Sequence, residues 1–251
     1  MASPMQQFEI KTIAPLSAMG YDISFTNSAL WMAIAVGVIG ALMFGGLRHA
    51  TNGVPGRAQA AVEITYRFIA NMLEQNAGSK SLIYAPYVFS IFMFVLICNL
   101  LGLLPFIHPF TPTSHIAVTA TLAALVFSSV IIIGLMRHGL HFFDLFNPKG
   151  VPWVLKIILV IPIEIISFLS RPVTLSIRLF ANMTAGHVLL KVFGGFIVSL
   201  GLAGGALSFL SIAPLILNIL FTALELLVAV IQAYVFALLT SIYLNDAINL
   251  H

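Results

Sequence analysis

The chain has 251 residues, 60% of them hydrophobic and only 8% charged, with a mean hydropathy of +1.07. A soluble domain carries about a quarter charged residues, so the composition excludes a water-soluble globule and describes an integral membrane protein. The net charge of +3 rests on eleven Lys and Arg against eight acids; it reflects loop asymmetry rather than a basic patch, and no nucleic-acid partner is expected.

Taken in chain order, the N-terminal segment has Lys11 as its sole early cation and lacks a basic leader followed by a short apolar stretch and a small-residue cleavage site, so the first span is expected to be retained. Residues 28–47, 82–104 and 116–136 are uncharged runs of 20, 23 and 21 residues. Each reaches the roughly 20 residues needed to cross the hydrocarbon core as a helix, and short alternating barrel strands are absent. The predicted fold class is therefore all-α, an integral membrane protein in one polytopic membrane domain. Between the first two spans, Val62, Tyr66, Ile69 and Leu73 recur at helical spacing, with Glu63 and Arg67 as an i,i+4 pair on another face. This predicts an amphipathic helix at the membrane surface, packed on the lipid or docked to a partner subunit. Cys98, the only cysteine, lies in an apolar run and is expected as a small buried hydrophobe; no internal disulfide is possible.

Two longer arms follow, residues 153–190 and 207–244, of 38 residues each. A continuous helix of that length runs about 57 Å against a hydrocarbon core of about 30 Å, so the arms must tilt, kink or break. Pro172 and Pro214 can kink them, and Gly201, Gly204 and Gly205 can reverse the chain between them into a hairpin. The expected total is about five membrane helices, the last two long and tilted.

Loop charges give an orientation. Arg48, Arg57, Arg67 and Lys80 lie between the first two spans and Arg137, Lys149 and Lys156 follow the third, whereas Pro105 to Ser114 has neither Lys nor Arg. By the positive-inside rule the charged segments, the amphipathic helix and the C-terminus are cytoplasmic, and the N-terminus is outside.

Polar residues on the arms are few and regularly placed. Glu164, Ser167, Arg171, Thr174, Arg178, Asn182 and Ala185 step by three or four along the first arm, and Asn218, Thr222, Glu225, Ala229, Gln232 and Phe236 do so along the second. Such steps put each set on one helix face, and two polar seams on greasy helices suggest facing surfaces or water-filled cavities. Pro172 can rotate Glu164 and Ser167 relative to Arg178. A hairpin turning at Gly204 and Gly205 sets Arg178 opposite a position near 231, beside Gln232, and His187 opposite one near 222, a turn from Glu225. An imidazole and a carboxylate so placed form a candidate proton relay, with a structural ion pair as the simpler reading. Arg178 costs about 2.5–3.5 kcal/mol at a helix centre, so it needs a partner or a task. Asn99, Asn182 and Gln232 can each serve as interhelical hydrogen-bond glue. His138, His141 and Asp144 lack an evident further ligand, and no metal is expected. Nucleotide loops of the GxxxxGK[ST] type, GxSxG elbows and HExxH helices are absent, so the chain is not expected to be an enzyme by itself.

The run SRPVTLSIRLFANMTAGH, Ser170 to His187, resembles the signature of subunit a of the F-type ATP synthases, the stator half of a proton channel. NLLGLLP (Asn99 to Pro105), PTSHIAVTATLAAL (Pro112 to Leu125) and ELLVAVIQAYVFALLTSIYL (Glu225 to Leu244) resemble further segments of that family, in its order. The resemblance implies that Arg178 is the essential arginine, with Asn182 on its face and Gln232 near it, and that Glu164 and Ser167 serve an outlet to the cytoplasm. Part of the family carries an acid where His187 stands and a histidine where Glu225 stands; the exchange keeps one acid and one base. It further implies partners in a ring of c subunits and b-type stator subunits with the rest of the complex, protons as the ion moved, no cofactor, and a multi-pass place in a bacterial plasma (inner) membrane or, alternatively, a mitochondrial inner membrane. His187, Glu225, Asn99 and neighbouring polar groups are then expected to line an outside inlet. The alternative from another class is a stand-alone secondary transporter or ion channel, with no inverted repeat to favour it.

Overall fold

A computed structural model describes residues 9–15, 17–18, 21–22, 24–47, 56–104, 110–139, 141–142 and 155–249. Arg48, Pro105, Asp144, Lys149 and Trp153, used above for loop charge, loop bounds, metal ligation and the start of an arm, lie outside the described residues.

Among the described residues six long helices carry the fold: α1 (Asn27–Leu47), α2 (Arg57–Ala77), α3 (Ala85–Gly102), α4 (Ile116–His138), α5 (Ile161–Leu202) and α6 (Ile212–Ile248). All but α2 are long and apolar enough to cross a membrane, and the protein is an all-α integral membrane protein. Near the N-terminus, Thr12–Ala14 pairs with Phe25–Thr26 and Ser17–Ala18 with Tyr21–Asp22 as two short antiparallel ribbons.

Helix α2 differs from the rest because its sequence is amphipathic. Ile69, Met72, Leu73 and Ala77 are buried on one face, while Glu63 and Arg67 sit 3.8 Å apart on the exposed side. Gly78, at φ 76°, ends the helix with its N–H bonded to the Glu74 carbonyl, a backbone state that favours glycine.

The long helices overrun the expected arms. Helix α5 continues past Leu190 to Leu202, and one π-helical turn, Lys156–Val160, precedes it. The apolar run stops at Lys191 because that residue is charged, but an exposed lysine on a long stem does not end a helix. Pro172 lies inside α5 without ending it. On either side of it Ser170 Oγ donates to the Ser167 oxygen at 2.8 Å and Thr174 Oγ1 to the Ser170 oxygen at 3.0 Å. Pro214 falls in the first turn of α6, where its missing N–H has no helical partner to lose, so it starts a helix instead of kinking one. Gly204 and Gly205 take φ 72° and 62° between α5 and α6, followed by the single turn Ala206–Leu210.

The chain divides into two compact units. The first comprises Met1–Gly40, Phe94–Val118 and Leu179–Ala233; the second comprises Ala41–Met93, Thr119–Arg178 and Tyr234–His251. In the second unit, Phe168 packs against Phe127 and Phe142 at 4.8 and 6.5 Å between ring centroids. The Phe142 ring lies so close to Gly134 that a Cβ there would stand 2.3 Å from it. His138 Nε2 contacts the Ile248 carbonyl at 3.0 Å.

Candidate functional site

In the first unit, α5 and α6 run back on each other from the Gly204–Gly205 reversal. Phe193 meets Phe221 at 5.0 Å between ring centroids, and His187 Nδ1 stands 3.2 Å from Glu225 Oε1. The pairing differs by about one turn from the expected opposition of His187 to position 222. Gly186 accounts for the closeness: a Cβ on it would lie 2.6 Å from Glu225 Oε1, so only glycine leaves room for the carboxylate.

Both partners are buried, His187 at 8% exposure and Glu225 at 3%. The 3.2 Å approach is an ion-pair distance, yet neither Glu225 oxygen completes a well-formed hydrogen bond among the described residues. A buried carboxylate so lightly satisfied is costly unless water or protonation serves it. A cavity of about 250 Å³ lies beside it, lined by Glu225, Asn182, Gly186 and apolar residues including Phe221 and Val228. At about 30 Å³ per water molecule, that space accommodates several.

A second buried cluster adjoins His187. Its Nε2 is 2.8 Å from Thr111 Oγ1. Thr113 Oγ1 donates to Asn99 Oδ1 at 2.8 Å, and Asn99 Nδ2 donates to the Ala229 carbonyl at 3.1 Å. Ser114 Oγ donates to the Thr111 carbonyl at 2.7 Å, and Thr184 Oγ1 to the Ser114 carbonyl at 3.2 Å. Helices α3, α5 and α6 thus each supply polar atoms to one group, closed by the segment before α4.

His187, Glu225 and Asn99 are accordingly brought into this unit's polar interior, and Asn182, itself exposed, lines the cavity beside Glu225. Gln232 is half-buried, two turns beyond Glu225, and forms no hydrogen bond among the described residues. In the second unit, Glu164 is half-buried in the first turn of α5 and Ser167 is exposed. Arg178 is exposed and has no hydrogen bond or ion pair among the described residues. Along α5, Thr174, Arg178, Asn182 and Ala185 are all exposed, whereas Leu175, Leu179 and Met183 are buried. The polar stripe of this helix therefore points away from its packed face. Among the described residues no group of three His, Cys, Asp or Glu could hold a metal ion.

Sequence reasoning missed Thr111, Thr113 and Ser114, which lie in a short charge-free stretch yet are 5%, 0% and 3% exposed. It also missed the partner of Arg171. That guanidinium bonds Asp246 Oδ2 at 2.5 Å and lies 5.5 and 5.3 Å from the centroids of the Phe168 and Tyr243 rings.

Fold and site together define a class: a multi-pass helical membrane protein with a buried acid–base pair and a cavity among its membrane helices. Known proteins narrow it. Residues 29–245 match the family of the ATP synthase A chain. The ATP synthase subunit a of Mesorhizobium japonicum is 55% identical over 98% of this chain and 96% of its own length. That of Rhodospirillum rubrum is 49% identical over the whole of both chains, and that of Pelagibacter ubique 52% identical over 99% and 98%. The chain belongs to the ATP synthase A chain family, the a subunit of the membrane sector, and its place is in ATP synthesis and proton transport across a membrane.

Proposed function

We propose that the chain is the stator of a proton-driven rotor, with Arg178 facing the carboxyl groups of a ring of small c subunits. The observation that carries this reading is Arg178 itself, an exposed cation in a membrane helix with no ion-pair partner among the described residues. A carboxyl facing lipid stays protonated, because desolvation disfavours its charged form; beside a guanidinium the same group is favoured as a carboxylate. Arg178 thus discharges each passing carboxyl and, as a fixed positive charge, bars protons from crossing directly.

Two half-channels then feed and drain the ring. Glu225, His187, Asn99 and Asn182 serve the outside inlet, with the cavity beside Glu225 as its water-bearing end, and Gln232 extends the polar seam of α6. Glu164 and Ser167 serve the cytoplasmic outlet. Each proton crossing 100 mV yields about 2.3 kcal/mol, so several must pass for each ATP made elsewhere in the complex. The loop charges favour an N-terminus outside and a C-terminus in the cytoplasm, in a bacterial plasma membrane on this reading, and α2 offers a surface for the b-type stator subunits. Membership of the family leaves no place for a stand-alone transporter. In inverted membrane vesicles, Arg178→Ala should abolish ATP-driven acidification read by a pH-sensitive dye. Vesicles that still acidify normally would overturn the role.

A further inference from the structure

Residues 110–115, ahead of α4, are tied to α3 and α5 by hydrogen bonds, among them that of one hydroxyl. Thr111 Oγ1 lies 2.8 Å from His187 Nε2, at the opposite edge of the ring from the nitrogen that faces Glu225. A hydroxyl can donate to a bare ring nitrogen or accept from a protonated one, so it can serve the imidazole in either charge state. The last torsion of a histidine is broad, so a ring held at one edge only can swing. Which nitrogen carries the proton is set by the hydrogen bond the other makes.

The placement of Thr111 is built. A Cβ on Gly102 would lie 2.1 Å from Thr111 Oγ1 and 2.7 Å from its methyl carbon, so α3 receives this side chain at a glycine. The Thr111 carbonyl accepts both the Ser114 N–H at 3.0 Å and the Ser114 hydroxyl at 2.7 Å. Thr113 ties the same turn to Asn99, and Thr184 ties it to α5. Glycine therefore opens space at both ends of the array: Gly102 for Thr111 and Gly186 for Glu225.

We propose that Thr111 is a positioning residue of the proton inlet, its hydroxyl holding the His187 ring by Nε2 so that Nδ1 stays beside the Glu225 carboxylate. The inference rests on His187 and Glu225 forming that inlet. Thr111→Val keeps the shape and removes the hydroxyl, whereas Thr111→Ser keeps the hydroxyl. ATP-driven acidification of inverted vesicles, expressed per assembled complex, should fall about tenfold or more in Thr111→Val, as expected for a misplaced relay group, and stay near the unaltered rate in Thr111→Ser. Equal losses in both variants, or none in Thr111→Val, overturn the positioning role. His187→Ala separates the two levels: if it acidifies normally the inlet reading itself falls, and if it is inactive while Thr111→Val is normal, only Thr111 loses its role.

Discussion

Arg171 and Asp246 are joined at 2.5 Å, Nη1 to Oδ2, between α5 and the last turns of α6. Both side chains are about three-quarters buried, and the guanidinium is flanked by the Phe168 and Tyr243 rings. Few charged contacts are available to this chain, and this one is desolvated on both faces.

Removing one partner should therefore cost more than removing both. Arg171→Gln leaves the Asp246 carboxylate half-buried without its cation and is expected to lose about 1–3 kcal/mol, the usual range for a hydrogen bond to a charged group. Arg171→Gln with Asp246→Asn should recover part of that loss. Arg171→Lys should fall between, since lysine keeps the charge but lacks the planar group that stacks on rings. Thermal aggregation of the detergent-solubilised complex would rank the four proteins, and a double variant less stable than Arg171→Gln would contradict the account.

Gly186→Ala tests the Glu225 pocket without touching either titratable group. The added methyl carbon would lie 2.6 Å from Glu225 Oε1, so the carboxylate must move. Displacement of a relay group by about 1 Å can cost on the order of a hundredfold in rate, so ATP synthesis should fall well beyond any drop in the amount of assembled complex. Synthesis at the normal rate would show that the carboxylate can shift without consequence.

Glu225→Gln keeps the size of the side chain and removes its proton-carrying ability. General acid–base groups contribute about 10²–10⁴-fold; even if other polar groups or water carry part of the traffic, ATP synthesis should drop by about tenfold or more. An unaffected rate would leave Glu225 with a packing role only.

Asn99 offers a contrast between stability and transport. It accepts from Thr113 and donates to the Ala229 carbonyl at full burial. Asn99→Leu should leave the Thr113 hydroxyl without its acceptor and the Ala229 carbonyl with its helical bond alone, and destabilise the subunit by about 1–3 kcal/mol, seen as earlier thermal aggregation. A variant as stable as the parent would mean that these hydrogen bonds contribute nothing net.

The class of fold was readable because lipid imposes a simple rule, and uncharged runs of about 20 residues obey it. The ends of helices were less readable: Lys191 interrupted the apolar pattern without interrupting α5, and Pro214 marked a helix start although proline more often signals a break. His187 and Glu225 could be placed within a turn of each other because two glycines fixed the hairpin. The threonines around Thr111 were invisible in the sequence, since a hydroxyl in a short uncharged stretch looks the same whether it meets water or an imidazole. The Arg171–Asp246 bond was hidden for a related reason: Asp246 lies beyond the expected end of its arm, and only the continuation of α6 to Ile248 carries it to its partner.

The Gly204–Gly205 reversal has a consequence for how the chain is laid into the membrane. No Lys or Arg occurs between Lys191 and His251, so within that stretch α6 carries no cation of its own to select a side of the bilayer. Its direction is tied to that of α5 through the two positive-φ glycines that reverse the chain between them.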